Sequence, residues 1–267
     1  MKKLRFSELM NLLLISVIII LIFRIPSNQV EVIAESKASA NTNTQASKKL
    51  EKLDDKTYQL PTPEFTSNIS VEESMLNRRS QRDYRSQAIT AQQLSQVLWS
   101  AYGITQAIEE PEFLRGGLKT APSAGARYPL DIYVLIGNVD GLKKGLYKFL
   151  PNGHKLLKLN SADLRHELCI ASYDQLMIQE APAVLLYSAI FERCTSKYGD
   201  RGRERYVCMD LGHSAENVYL QVQSLGLGTC AIGAFNDEEV SNIINLPTEE
   251  EPLYILPIGY YNEKAEE

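Results

Sequence analysis

The sequence predicts an α+β fold, because its helices and strands interleave without the regular strand–helix–strand rhythm of a doubly wound parallel sheet. Short apolar runs bounded by Pro or Gly predict buried strands, and two capping boxes predict helix starts. The 267 residues are 44% hydrophobic and 23% charged, which is typical of a globular protein. The part after residue 57 is long enough for one well-buried core.

The N-terminal segment, residues 1–34, is expected to be a signal peptide or an N-terminal membrane anchor. Three basic residues among the first five precede an apolar run from Leu12 to Phe23 that only Ser16 interrupts. A full membrane span needs about 20 apolar residues, so this shorter run fits a signal peptide more easily. Three basic residues before the run, against two soon after it, favour a domain outside the cytoplasm. An anchored domain that faces the cytoplasm is the alternative.

The remaining chain divides into a tether, one domain and a tail. Residues 35–57 are rich in small and polar side chains and predict a flexible linker. Residues 58–262 form the predicted domain, and residues 263–267 form the tail. Removing residues 1–34 leaves 24 basic and 31 acidic residues, a formal charge of −7. This acidic balance argues against a nucleic-acid partner.

The four cysteines are scattered through the domain at positions Cys169, Cys194, Cys208 and Cys230. They form no CxxC pair and no spacing typical of zinc ligands, so no metal site is predicted. Their simplest interpretation is as buried apolar residues. If the domain is exported, the alternative is that one or two disulfides form among them.

Two helices have clear start signals. Ser70 and Glu73 make a capping box that begins a helix running into a cluster of arginines. Thr90 and Gln93 make a second box, which begins a helix that Gly103 ends. The apolar residues of this second helix fall on one face; they are Leu94, Val97, Leu98, Ala101 and Tyr102.

Three apolar runs predict buried strands, at Ile132–Ile136, Ala183–Ile190 and Leu253–Ile258. From Arg203 to Leu225 the apolar residues recur at helical spacing, which predicts a long packed helix ended by Gly226.

A concentrated basic segment follows the first predicted helix. Arg78, Arg79 and Arg82 surround Ser80, and guanidinium forks match phosphate oxygens two at a time. The segment therefore predicts an anion-binding site, and phosphate is the expected ligand. The alternative is that these basic residues are exposed to solvent and interact favourably with the negative C-terminal end of the helix macrodipole.

A loop of small residues precedes the strand at Ile132–Ile136. It contains no GxSxG, and the chain contains neither GxGxxG after a strand nor GxxxxGK[ST], so the common hydrolase and nucleotide motifs are absent. Small side chains let the backbone approach a flat ligand, while Ser123 and Arg127 offer donors. A simple strand-entry loop is the alternative interpretation.

Several motifs occur in an order that is specific when taken together. They are RRSQRDY, the helix from Leu94 to Ile104, PSAGARYPLDIYV, Lys197-Tyr198-Gly199, Arg205-Tyr206, Gly212-His213, Asn217, Gly226-Leu227-Gly228, Ile232-Gly233-Ala234-Phe235 and Pro257-Ile258-Gly259. The chain from about Leu76 to Tyr260 resembles the nitroreductase superfamily. It is most similar to the SagB-type dehydrogenase branch, which includes azoline oxidases that make thiazoles and oxazoles in peptides.

The resemblance implies a flavoprotein that uses FMN, with a central mixed or antiparallel sheet flanked by helices. It also implies a homodimer whose two FMN sites lie across the subunit interface. By position, Arg78, Ser80 and Arg82 match binders of the FMN phosphate and pyrimidine edge, with Arg79 in the same cluster. Ser123 and Arg127 match a second flavin-contacting loop, and the Gly233-Ala234 backbone matches the segment near flavin N5.

The resemblance further implies a catalytic role for Lys197 and Tyr198, which match a pair associated with proton abstraction. Either group could act as a general base while hydride goes to the flavin. The alternative places both in a loop, with Lys197 solvated and Tyr198 packed. His213 is expected to be a core residue in an apolar helix rather than a proton donor. The expected activity is oxidoreduction of a small molecule or peptide, and the alternative is a flavin-fold binding protein without turnover.

Overall fold

The structure is a computed structural model that describes residues 49–262. The expected signal peptide or anchor, most of the expected tether and the tail therefore lie outside the described residues. Within residues 49–262, no helix is both long enough and apolar enough to span a membrane.

The described residues form ten strands, and eight of them build one sheet. The strands are β1 Glu51–Lys52, β2 Thr57–Gln59, β3 Ile104–Ala107, β4 Gly117–Lys119, β5 Leu130–Ile136, β6 Gly145–Leu150, β7 Lys155–Asn160, β8 Ala183–Ala189, β9 Gly228–Thr229 and β10 Glu251–Gly259. The large sheet has the order β1-β2-β7-β6-β5-β8-β10-β9, and β3 pairs with β4 separately. Every strand pair is antiparallel.

In the same described part of the chain, seven α-helices accompany the sheet. They are α1 Val71–Asn77, α2 Ala91–Tyr102, α3 Arg165–Ala171, α4 Met177–Glu180, α5 Glu192–Tyr198, α6 Val207–Ser224 and α7 Asp237–Ile244. A π-helical turn, Gly202–Tyr206, leads into α6. The architecture is α+β, and this confirms the predicted fold class.

The central strands are buried on both faces, so alternate residues of each strand enter two different cores. In β5, Ile132 and Val134 join the core that contains the apolar faces of α2 and α6. Tyr133 and Leu135 join the opposite core, which α3, α4 and α7 cover. Helices therefore lie on both sides of the sheet, and α6 is held between the first core and the surface that carries the candidate site.

The helix starts follow the sequence closely. The hydroxyl of Ser70 accepts from the Glu73 N–H at 3.1 Å, and α1 ends immediately before Arg78. Thr90 and Gln93 form the complete reciprocal box at the start of α2, and Gly103 follows its last residue. Gly226 takes φ +68°, a left-handed conformation that suits glycine at the end of a helix. The long helix before it, α6, is confirmed.

The sheet begins earlier than expected. Strand β1 and the first residue of β2 lie within the segment 35–57, which was expected to be a tether. The Asp54 carboxylate accepts from the N–H groups of Lys56 and Thr57, both at 2.8 Å, and so closes a tight turn between the strands. Backbone pairing and this turn hold the hairpin, so the segment needs few apolar residues.

The four cysteines are free thiols, and no disulfide joins them. Cys169, Cys194 and Cys230 are buried, as expected for apolar residues. Cys208 differs, because it lies on an exposed part of α6.

Candidate functional site

The arginine cluster, defined as Arg78, Arg79, Ser80 and Arg82, lies at the C-terminal end of α1. The Arg78 guanidinium stands 5.4 Å from the ring centroid of Tyr219, which belongs to α6. Arg79 folds back and donates to the carbonyls of Leu76 and Arg78. None of the three guanidiniums forms a salt bridge with a carboxylate in residues 49–262. Their charge is therefore available to an anion.

Ser80 lies beside the segment that follows α6. It forms a parallel bridge with Thr229, and the Gln81 N–H donates to the Thr229 carbonyl at 3.0 Å. The Tyr219 hydroxyl accepts from the Ala231 N–H at 2.7 Å and lies 3.4 Å from Ser80 Oγ. Tyr219 thereby links the arginine cluster to the strand end that leads to Gly233. Sequence reasoning did not identify Tyr219 as part of the site.

The Gly233-Ala234 backbone is exposed two residues beyond that link. A Cβ placed on Gly233 would have only the Tyr254 ring nearby, at 3.6 Å, and Gly233 and Ala234 are both exposed. The Ala234 carbonyl accepts from the Gln175 side chain at 3.0 Å. This arrangement brings the predicted backbone segment to the same end of α6 as the arginine cluster.

The serine loop, defined as residues 123–127, is fastened to the other end of α6. Ser123 Oγ donates to Asp210 Oδ2 at 2.5 Å and accepts from the Tyr128 N–H at 2.9 Å. The second oxygen of Asp210 accepts from the Ala124 N–H at 3.1 Å. The one hydroxyl proton of Ser123 is thus committed to Asp210, and the serine holds the loop in place.

Asp210 was not among the residues that the sequence singled out. It is buried on α6, and burial is the main cause that raises the pKa of its carboxyl group, while the bonds from Ser123 and Ala124 act in the opposite direction. The sequence did contain one signal for Asp210, namely a single acidic residue on the apolar face of a predicted helix. Buried carboxylates need partners, and this one finds them in the serine loop.

Arg127 points away from its loop toward α5. Its Nε donates to the Arg193 carbonyl at 2.7 Å and its Nη2 donates to Ser196 Oγ at 3.0 Å. The guanidinium also lies 4.9 Å from the ring centroid of Phe113. The end of the serine loop is therefore anchored on the helix that carries Lys197.

Lys197 and Tyr198 form the last turn of α5, so the loop position that the alternative interpretation gave them is wrong. A Cβ built on Gly125 would overlap Tyr198 Oη and lie 2.9 Å from Lys197 Nζ. Gly125 also takes φ +58°, which favours glycine. The structure thus brings both predicted catalytic groups against the serine loop. The Tyr198 ring is held from its other side by Tyr206, at 5.0 Å between centroids.

The predicted site residues therefore fall into two groups at opposite ends of one stretch of α6. Asp210 holds the serine loop, and Tyr219 holds the arginine cluster. Asp210 and Tyr219 are nine positions apart on α6, which at a rise of 1.5 Å per residue places them about 14 Å apart along the helix. Within one subunit the two groups do not meet at a single point.

The face of α6 between them is open. Met209, Gly212, His213 and Glu216 recur at helical spacing and are exposed. Nothing lies within 4 Å of the position that a Cβ on Gly212 would take. His213 is not a core residue as expected; its Nδ1 lies 3.3 Å from the Pro122 carbonyl at the surface.

Comparison with known proteins gives a consistent result. The profile of the nitroreductase family matches residues 75–260. A protein of Methanocaldococcus jannaschii, named as a candidate nitroreductase, MJ1384, is 43% identical over 203 residues, which are 76% of this chain and 96% of that protein. The trifolitoxin-processing protein TfxB of Rhizobium leguminosarum bv. trifolii is 28% identical over 141 residues, which are 48% of this chain and 35% of that protein.

Solved structures share the fold. A candidate nitroreductase from Ralstonia eutropha JMP134 is 27% identical with a TM-score of 0.64, covering 83% of this chain and 97% of that one. An NADPH:FMN oxidoreductase from Vibrio harveyi is 18% identical with a TM-score of 0.51, covering 72% of this chain and 69% of that one, and this likeness concerns the fold alone.

Proposed function

Because the chain belongs to the nitroreductase family, we propose that it is an FMN-dependent oxidoreductase that exchanges a hydride between an organic substrate and the flavin. The observation that carries this proposal is the arginine cluster, whose guanidiniums have no carboxylate partner in the described part of the chain. A phosphate dianion is the ligand that such forks bind best.

The residues around the cluster fit the phosphate end of FMN. Arg78 and Arg82 would supply charge, and Ser80 would supply a hydroxyl donor. Beside them the Thr229 hydroxyl is buried and has no hydrogen-bond partner in residues 49–262. A buried polar group without a partner is unusual and fits a ligand close by. The exposed Gly233-Ala234 peptide fits a close backbone approach to a flat ring. When bound, FMN would supply the hydride chemistry, and the protein would supply position and charge.

The separation of the two groups of residues supports a site shared between two subunits. A second copy packed on the open face of α6 would bring its serine loop toward the arginine cluster of the first. The exposed Met209 and the space at Gly212 suit such helix contact. We therefore propose a homodimer in which each FMN contacts both subunits.

Lys197 and Tyr198 are proposed to handle the substrate proton. They lie side by side, with Nζ 5.2 Å from the tyrosine ring centroid, and both face the serine loop. The missing side chain at Gly125 leaves room for their polar ends. A lysine amine and a tyrosine hydroxyl can each donate or accept a proton, which is the role proposed for this pair. The serine loop would hold the two groups at a fixed distance from the substrate.

The substrate class is proposed from the SagB-type resemblance and from TfxB, which is named as a toxin-processing protein. A peptide or a small molecule with an oxidisable ring is the proposed substrate. The N-terminal segment is proposed to export the domain or anchor it outside the cytoplasm, the alternative being an anchored domain that faces the cytoplasm.

Turnover tests the proposal. The full-length protein would be reduced anaerobically with NADH, NADPH or dithionite and then mixed with nitroaromatics or quinones. In a separate experiment the oxidised protein would be mixed with azoline peptides. Reoxidation by at least one organic acceptor, or reduction by one azoline peptide, is the expected result. A flavin that dithionite reduces but that no organic partner reduces or reoxidises would favour a flavin-fold binding protein instead.

A further inference from the structure

A cavity of about 490 Å³ lies beside the serine loop, outside the arginine cluster. Glu112, Phe113, Arg115, Arg127 and Arg193 line it. Three guanidiniums thus converge on one space that is large enough for a small organic molecule.

The charges around this cavity do not balance. Asp131 accepts from Arg115 Nη2 at 2.5 Å and from Arg193 Nη2 at 3.1 Å, and it also lies 3.5 Å from Lys148 Nζ. One buried carboxylate therefore faces three cations. Arg127 has no carboxylate partner among residues 49–262.

A second carboxylate belongs to the same network and does not change this balance. Glu250 pairs with Lys148 at 2.9 Å and accepts from the hydroxyls of Tyr133 and Ser188. It neutralises Lys148 and makes no contact with the three arginines. With Glu112 counted beside Asp131, three arginines face two carboxylates at the cavity, and one positive charge remains in excess.

The arginines also retain unused donors. A guanidinium carries five N–H groups. Arg127 uses Nε and Nη2, Arg193 uses Nη1 and Nη2, and Arg115 donates three bonds through Nη1 and Nη2. Each guanidinium therefore keeps at least two N–H groups without a partner in the described structure. Such groups beside an open cavity match the oxygens of an oxyanion.

Three nearby residues indicate what kind of anion fits. Lys119 lies behind Arg115, and its pKa is lowered to about 8, first by burial and then by the charge of Arg115, as expected in a positive environment. The carboxylate of Glu112 lines the same cavity and would repel a dianion more strongly than a monoanion. Phe113, stacked against Arg127, offers an apolar surface to the rest of the ligand.

The cavity adjoins the proposed proton-transfer pair. Arg193 and Lys197 are four residues apart on α5 and so lie on one face of that helix. Arg127 is the last residue of the serine loop, which meets Tyr198 at Gly125. We propose that the cavity binds a carboxylate of the organic substrate and thereby positions its reacting part at Lys197 and Tyr198. That the bound carboxylate belongs to a substrate rests on the proposed function. The carboxylate site itself rests only on the residues of the cavity.

Direct binding tests the site without turnover. Dissociation constants of benzoate and benzamide, two ligands of almost equal shape, would be measured by calorimetry on the full-length protein. Benzoate is expected to bind roughly ten- to a hundredfold more tightly, as charge-assisted hydrogen bonds allow. Arg127→Gln should remove most of this preference, and Arg127→Lys should restore part of it. Arg205→Gln, at an exposed arginine that does not line the cavity, is the matched control and should leave the preference unchanged.

Other outcomes of the binding measurements would contradict the carboxylate site or the proposed function. Equal affinities for benzoate and benzamide in the parent protein would overturn the site, and this comparison needs no variant to fold. Phenyl phosphate binding tenfold more tightly than benzoate would overturn the carboxylate assignment. A colourless protein that prefers benzoate would support the site and contradict the proposed oxidoreductase. A yellow, redox-active protein without that preference would do the reverse.

Discussion

Ser123 and Asp210 are joined by a 2.5 Å hydrogen bond that ties the serine loop to α6, 87 residues later in the chain. The same carboxylate accepts from the Ala124 N–H, so two consecutive residues of the loop depend on it. Because Gly125 follows directly and meets Tyr198, this bond also sets the distance between the loop and the proposed proton-transfer pair.

Asp210→Ala should therefore destabilise the protein. The hydroxyl of Ser123 and the N–H of Ala124 would both lose their acceptor, at a cost of about 1–3 kcal/mol in unfolding free energy. Urea titration measures this loss. Glu167→Ala, at an exposed acid of α3, is the control and should stay within about 0.5 kcal/mol of the parent. A parent-like midpoint for Asp210→Ala would show that the bond does not hold the loop.

Arg82→Ala should weaken FMN binding while leaving the fold intact. Loss of one charge-assisted phosphate contact is worth about 1.5–3 kcal/mol, or roughly ten- to a hundredfold in the dissociation constant. Quenching of flavin fluorescence during titration measures it. Arg85→Ala is the matched control, since that exposed arginine bonds Asn262 at 3.2 Å. Equal affinities of Arg82→Ala and the parent would remove Arg82 from the phosphate site.

Lys197→Ala and Tyr198→Phe should separate cofactor binding from chemistry. Both variants should retain flavin and the dimer, because neither residue belongs to the arginine cluster. Turnover of an organic substrate should fall by about 10² to 10⁴, the usual worth of a positioned proton-transfer group. Reduction by dithionite needs no such group and should keep its rate. Parent-like turnover in both variants would leave the pair with a structural role.

The stability of the protein should depend on pH through His154. Burial lowers the pKa of this histidine to about 4, and its Nε2 lies 2.7 Å from Ser95 Oγ. The unfolded chain binds the proton below about pH 6.5, whereas the folded state binds it only below about pH 4. The stabilising contribution is therefore complete above pH 6.5 and is lost as the pH falls toward 4.

Between pH 7 and pH 5 this single group should remove about 2 kcal/mol from the unfolding free energy. Denaturant titrations at the two pH values would measure the loss. The His154→Asn variant cannot take up this proton, and asparagine tolerates the φ of 52° at this position. Between pH 7 and pH 5 its unfolding free energy should therefore fall by about 2 kcal/mol less than that of the parent. An identical pH dependence in both proteins would contradict the assignment.

Local signals in the sequence predicted much of the scaffold. Thr90 and Gln93 satisfy each other's backbone groups within four residues, so the start of α2 needs no information from elsewhere. The buried strands β5 and β8 are apolar except for Asp131 and Ser188 and have turn residues at their ends, which is the pattern of central strands.

Other features depend on distant residues, or their local signal is weak. Helix α5 has seven residues and no side-chain cap at its start, so neither periodicity nor capping marks it. The β1–β2 hairpin relies on backbone pairing at the edge of the sheet. Asp210 acquires its partners from the serine loop only when the chain is folded. The separation of the site residues into two groups likewise follows from the position of α6 and not from their spacing.

Whether the protein holds FMN can be read from the visible absorption spectrum of the purified full-length protein. We expect a yellow protein with flavin bands near one equivalent per subunit, whose released cofactor is FMN. A colourless protein that remains colourless after incubation with FMN and gel filtration would contradict it.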